Sequence, residues 1–223
     1  MNKIERIYSK LYKYYGKQHW WPVTSKNKEF EIIIGTVLTQ NTSWKNVETA
    51  IENLKKNKLI DIKKINRINK DKLARSIKSS GYFNQKAERL KIFADYVNEN
   101  YKNNLKKFLK KDVSELRKEL LSIKGIGEET ADSIILYAAS KPVFVIDTYT
   151  KRIISRIGLC EKSVDYETLQ NLFHKNLEKH HKLFNEYHAL LVELGKNICI
   201  KKPKCDICPV NNECNYFRKY FVN

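Results

Sequence analysis

The sequence predicts an all-α protein, and three observations carry that reading. Apolar residues recur at helical spacing along nearly the whole chain of 223 residues. Only 7 glycines and 4 prolines interrupt it, so few long loops are expected. Hydrophobic residues make up 42% and aromatics 11%, enough for a packed core and too much for a disordered chain. The length suits one large domain or two small ones.

The elements follow in order. "IERIYSKLYKYY" at 4–15 places apolar residues at 4, 7, 11 and 14–15, a helical stripe. "HWWPV" at 19–23 breaks the pattern with Pro22. An apolar helix is expected at 28–39, and Thr42 or Ser43 can cap another through Leu54. Helices at 71–79 and 84–99 flank "SSGYF", and others are expected at 113–121, 128–139, 148–157, 165–178 and 184–196. "SIKSSGYFNQKAERL" (76–90) and "SIKGIGEETADSI" (122–134) echo each other faintly: Ser-Ile-Lys, a glycine turn, then a helix with alanine.

Lysine and arginine number 43 against 25 acidic residues, a formal charge of +18. A polyanionic partner follows naturally, because phosphates neutralised by cations release their counterions. The plainer account is a composition biased to Lys, Asn and Ile. No stretch approaches the length of a membrane span, and "MNKIERIYSK" has no signal-peptide core. A cytoplasmic protein without a membrane partner is expected. Four of its five cysteines then point to a metal or cluster rather than disulfides.

Two short stretches carry chemistry. In "LLSIKGIGEETADSIILYA", Leu121 and Ile123 close one helix; Ala131, Ile134, Ile135 and Ala138 stripe the next. Between them Gly125 and Gly127 permit positive φ and close backbone approach, and a helix start favours an anion. This is a helix-hairpin-helix pattern; an ordinary tight turn reads the same way. In "VFVIDTYTKRIISRIG", Asp147 falls at a helix N-cap. Backbone N–H groups and the helix dipole would hold its carboxylate ionised, fit to stabilise a cationic sugar or orient a water. A simple structural cap is the alternative.

Together with "IIIGTVLTQNTSWKNV", "SGYFNQKAERLK" and the terminal cysteines, these motifs resemble the endonuclease III superfamily of DNA glycosylases along nearly the whole chain. The resemblance implies two helical subdomains with a DNA cleft between them: 1–24 with 134–223, and 25–133 with the hairpin at about 113–133. It implies base flipping, duplex DNA carrying a damaged base as partner, and a monomeric enzyme. It casts Asp147 as the catalytic carboxylate. Gln40 matches a glutamine that fills the gap left by the flipped base. Asn41, Tyr82, Lys124, Gly125, Ile126 and Gly127 become DNA-contact candidates.

Bifunctional members start the hairpin's second helix with a nucleophilic lysine. Here that position is Glu129, which cannot form a Schiff base, and Lys124 lies on the hairpin's other side. A monofunctional glycosylase is implied, with Glu129 lining the base pocket or simply favouring the helix start. "HWWPV" with "LTQNTSW" looks most like the endonuclease III-like 3-methyladenine glycosylases. Trp21 and Trp44 are the expected walls of a pocket for cationic alkylated purines, with Trp20 and Pro22 at its mouth; core tryptophans are the alternative. A uracil or thymine mismatch glycosylase, a glycosylase/lyase, a hypoxanthine glycosylase and a non-catalytic DNA-binding module are the rival functions.

Cys199-x5-Cys205-x2-Cys208-x5-Cys214 is a strong ligand pattern. It resembles the family's 4Fe-4S loop, with a first gap one residue short; the 3-methyladenine branch can lack the cluster. Zinc more often uses two C-x2-C knuckles. Lys201, Lys202 and Lys204 would bring the loop to phosphate. Cys160 is expected as a small core hydrophobe, and the five histidines show no metal-ligand spacing.

Overall fold

The computed structural model describes residues 1–222, and among them it contains helices and no strand. Thirteen α-helices follow the chain. They are α1 (Lys3–Tyr15), α2 (Lys28–Leu38), α3 (Trp44–Lys56), α4 (Ile62–Arg67), α5 (Lys70–Ser76), α6 (Phe83–Tyr101) and α7 (Leu105–Leu109). After them come α8 (Val113–Ser122), α9 (Glu128–Ser133, continued by a π-helical turn Ile134–Ala138), α10 (Thr148–Ile157), α11 (Tyr166–Asn176), α12 (His181–Asn197) and α13 (Asn215–Phe221). The short α4, α7 and α13 were not expected, since one or two turns leave too few residues for periodicity to register.

Local chemistry sets many of the boundaries. Asn2 and Glu5 form a reciprocal capping box on α1, with Glu5 N donating to Asn2 Oδ1 at 3.0 Å and Asn2 N to Glu5 Oε2 at 2.7 Å. Asp61, Asn69, Asp112 and Asp165 cap α4, α5, α8 and α11 through their side chains.

The chain divides into two compact units, Met1–Trp20 with Pro142–Asn223, and Trp21–Lys141. Residues 21–24 and 134–141 therefore fall on the other side of the boundaries read from sequence. The reasons are local. Lys55 Nζ holds Thr24 Oγ1 at 2.5 Å, and Glu31 accepts from Ser25 N at 2.9 Å. The π turn packs on α2, and Lys141 N closes onto Ile135 O at 3.0 Å.

In the Trp21–Lys141 unit every residue of α2 from Phe30 to Leu38 is buried, with α3, α6 and the α9 π turn packed around it. Three charged side chains are buried in this unit, Glu31, Lys86 and Asp132. Glu31, 1% exposed, pairs with Lys55 at 2.6 Å. Lys86 donates to Leu38 O at 2.8 Å and Ser80 O at 2.7 Å, so one ammonium ties the end of α2 to the turn before α6. Burial, with help from nearby Arg89, pushes its pKa down to about 8.

The other unit packs α12 against α1 and α10. Tyr187 is fully buried and donates to Ile4 O at 2.9 Å. The apolar run 143–147 is extended but pairs with no strand. Side chains of α11 satisfy it instead: Phe144 N donates to His174 Nε2 at 3.0 Å, Gln170 Nε2 donates to Phe144 O at 2.7 Å, and Ile146 N donates to the Tyr166 hydroxyl at 3.3 Å. The Phe144 and Phe173 rings stack 3.8 Å apart.

Candidate active site

The hairpin is built from α8, the turn 123–127 and α9. Arg117 and the fully buried Asp132 staple its helices together, Nε to Oδ1 at 2.7 Å and Nη2 to Oδ2 at 3.2 Å. Gly125 has φ +91°, the left-handed backbone that glycine tolerates best. Gly127 does not: it caps α9 at φ −94° and ψ −179°, an ordinary extended conformation. A Cβ there would meet nothing within 4 Å, so the chain itself gives no reason for a glycine, and the space in front of it is open.

Ile126 corrects another expectation. Its side chain is 6% exposed and its N–H is bonded to Ile123 O, so it anchors the turn from below rather than facing outward. Lys124 is exposed, 3.7 Å from Glu88. Glu129 is exposed in the first turn of α9, where the helix's positive end favours a carboxylate.

Gln40, Asn41 and Tyr82 lie on two loops beside the N-terminus of α6. Asn41 (φ +53°) and Tyr82 (φ +44°) both adopt the left-handed region, and both are exposed. For Tyr82 this costs about 1–2 kcal/mol; asparagine tolerates it more readily. Gln40 is half-buried. Its Nε2 donates to Thr130 Oγ1 at 2.9 Å, and its Oε1 accepts from Arg89 Nη1.

Trp21 and Trp44 come together, but not as facing walls. Their rings meet edge to face, with centroids 5.0 Å apart and planes at 85°. Trp21 also lies against Tyr137, at 5.3 Å. The reason is Gly35 in the middle of α2. A Cβ there would come within 2.5 Å of Trp21 Cζ2, so the indole lies directly on helix backbone. Trp44 Nε1 donates to Glu48 Oε1 at 2.6 Å. Pro22 is exposed, and Trp20, half-buried, ends the first segment of the other unit.

Asp147 caps α10 as expected: its Oδ1 accepts from Thr150 N at 2.7 Å. Its second oxygen lies 3.8 Å from Nε2 of His188, a buried histidine on α12. Burial pushes that imidazole below its ordinary pKa, against the pull of Asp147. A neutral ring therefore faces the carboxylate at neutral pH and leaves its charge uncancelled. Gly195 of α12 makes room for Tyr149, which follows the cap closely.

Cys199, Cys205, Cys208 and Cys214 line one small cavity with Arg156, Pro203 and Tyr216. Arg156 Nη1 lies 3.3 Å from Cys199 Sγ, its guanidinium sits over the Tyr216 ring, and Cys214 Sγ–H donates to Arg156 O. Burial and the neighbouring sulfurs raise the Cys205 thiol, and Cys208 is pushed up to about 11, first by burial. Among the described residues no group of three or more His, Cys, Asp or Glu is tight enough to hold a single metal ion. The four sulfurs share this lining, a donor set of the kind that holds an iron–sulfur cluster. Cys160 is half-buried, and burial raises its thiol too.

Sequence reasoning missed Arg89, Thr130, Tyr137 and His188. Arg89, Thr130 and Tyr137 lie within the motif stretches, but nothing in those motifs singles them out; they and His188 acquire their neighbours only through helix packing.

A family model described as HhH-GPD superfamily base excision DNA repair protein matches residues 34–179. A Methanocaldococcus jannaschii protein named as a DNA repair glycosylase is 48% identical over 219 residues, covering 96% of this chain and 97% of that protein. Endonuclease III of Sulfolobus acidocaldarius is 30% identical over 189 residues, 84% of this chain and 82% of its own. Among solved structures, the H. pylori 3-methyladenine DNA glycosylase bound to 1,N6-ethenoadenine superposes with a TM-score of 0.74 at 31% identity, covering 88% of this chain and 98% of that one. A non-covalent endonuclease III–DNA complex gives a TM-score of 0.83 at 20% identity, covering 98% of each chain, a likeness of fold.

Proposed function

The chain belongs to the HhH-GPD superfamily of base excision DNA repair proteins and is a DNA glycosylase. From that premise we propose that it is monofunctional and releases alkylated purines such as 3-methyladenine from duplex DNA, leaving an abasic site. The observation that carries the reading is the pair of carboxylates at Glu129 and Asp147, with no lysine at the start of α9.

Asp147 supplies the chemistry. One oxygen is fixed by the Thr150 N–H, and the other lies 3.8 Å from His188, whose pKa burial holds below its ordinary value. As the glycosidic bond stretches, positive charge builds on the sugar, and a preorganised anion stabilises it by more than it stabilises the ground state. The same oxygen can take a proton from the attacking water. Glu129 has no amine with which to attack the sugar, so the reaction stops at base loss. The open space before Gly127 and the positive end of α9 suit a phosphate. The Trp21–Trp44–Tyr137 cluster offers electron-rich ring faces to a cationic purine. The H. pylori relative, named for 3-methyladenine, supports that choice.

The four cysteines would hold a 4Fe-4S cluster whose service is to pin the loop carrying Lys201, Lys202 and Lys204, all exposed. The test is to incubate the protein with duplexes carrying single defined lesions and to score free base and alkali-labile sites. Alkylated purines should be released, strand breaks should need alkali, and borohydride should trap no covalent adduct. A trapped adduct refutes the monofunctional reading. Release confined to uracil or thymine mismatches refutes the alkylated-purine reading.

A further inference from the structure

Arg89 has no role assigned by the sequence motifs, yet it touches two parts of the proposed DNA-binding surface. Its aliphatic stem lies under the hairpin turn: a Cβ on Gly125 would fall 2.6 Å from Arg89 Cγ, 3.0 Å from Cδ and 3.1 Å from Nε. Its guanidinium donates to the side-chain carbonyl of Gln40. The amide of Gln40 is thus held at both ends, by Arg89 through oxygen and by Thr130 Oγ1 through nitrogen at 2.9 Å. Thr130 is itself buried on α9, so both tethers lead to the hairpin. One turn earlier on α6, Lys86 fixes the backbone of the same loop through Leu38 O. The loop is therefore anchored, and the side chain of Gln40 is what remains to be released.

We propose that Arg89 is a positioning residue that latches Gln40 to the hairpin and hands it to the duplex when a phosphate occupies the turn. A phosphate is a better acceptor for a guanidinium than a neutral amide, because it adds an opposite charge and a second acceptor oxygen that matches the guanidinium fork. With its stem under Gly125, Arg89 has its guanidinium close to the turn. Moving the guanidinium from amide to phosphate frees the oxygen of Gln40 at the moment the backbone is gripped. Capture of the strand and filling of the gap become one event. The inference rests on the reading of Gln40 as the gap-filling residue.

The experiment is a double-mutant cycle of Arg89→Met and Gln40→Ala. It is read by single-turnover base release and by 2-aminopurine fluorescence beside the lesion, which reports extrusion. Each single change should slow extrusion about tenfold, and the double should be no slower than the worse single, since coupled residues are non-additive. Arg89→Lys should keep the salt dependence of binding, which reads charge, yet lose the coupling, which needs the fork. Thr130→Val, which leaves Arg89 intact, should change the extrusion rate without changing the salt slope. Additive effects in the cycle, or an unchanged extrusion rate in Thr130→Val, overturn the latch. If Gln40→Ala alone leaves extrusion unaltered, the gap-filling reading has failed and the latch fails with it. If Gln40→Ala slows extrusion but the cycle is additive, only the latch has failed.

Discussion

Gly35→Ala separates a helix-propensity effect from a packing effect. Replacing a mid-helix glycine by alanine ordinarily stabilises by about 1 kcal/mol. Here the added carbon would fall 2.5 Å from Trp21 Cζ2, 3.2 Å from Cε2 and 3.3 Å from Nε1. Those are atoms of a rigid ring wedged between Trp44 and Tyr137. Overpacking of this kind costs about 1–3 kcal/mol, so the net change should run from near zero to a loss of about 2 kcal/mol. At roughly 2–4 °C per kcal/mol for a chain of this size, the melting midpoint should fall by at most ~8 °C. The sharper signal is spectroscopic. Two of the three tryptophans, Trp21 and Trp44, belong to this cluster, so the tryptophan bands of the near-ultraviolet circular dichroism report on it. That signal should change, and release of an alkylated purine should drop, while far-ultraviolet helicity stays. A variant stabilised by about 1 kcal/mol, with an unaltered aromatic spectrum and full base release, would refute the seating of Trp21 on Gly35 and its part in the pocket.

Four further outcomes are expected. Asp147→Asn keeps the cap, since asparagine caps as well as aspartate, so stability should move by only a few tenths of a kcal/mol. Base release should nevertheless fall by about 10²–10⁴, measured in single turnover. Asp132→Ala removes both bonds to Arg117, which keeps Glu128 at 3.4 Å, and should cost about 1–3 kcal/mol by urea denaturation. Burial alone would raise the Glu31 carboxyl, but bonds from Lys55 and Ser25 outweigh it and hold the pKa below its ordinary value of 4.5. The unfolded chain therefore binds this proton more tightly, so the stabilisation is complete above 4.5 and is lost as pH falls through the lower folded value. Glu31→Gln should flatten that acid limb in a pH series of melting curves. Cys208→Ser should abolish iron content and visible absorbance, and a colourless wild-type protein with stoichiometric zinc would overturn the cluster.

The legible parts of the site were those written in consecutive residues. Gly125 and the N-cap at Asp147 are local events, fixed by one turn and one helix start. Gly127 was misjudged because two glycines in a turn look alike in sequence, although only one has positive φ. Ile126 was taken as a contact because its backbone lies in the motif, whereas its side chain answers to the core. The edge-on meeting of Trp21 and Trp44 could not be read at all. It depends on a glycine fourteen residues from Trp21 and on Tyr137, 116 residues along the chain. Arg89 and His188 were silent for the same reason: a side chain that acts across helices leaves no periodic trace.

The extended run before Asp147 has a consequence for how this enzyme can change. In a sheet, main-chain bonds would be supplied by a neighbouring main chain and would survive most substitutions. Here each is supplied by one named side chain, Tyr166, Gln170 or His174. The mount of the proposed reactive carboxylate can thus be loosened one bond at a time by single substitutions in α11. Evolution or an engineer can adjust how firmly Asp147 is held without altering Asp147 itself.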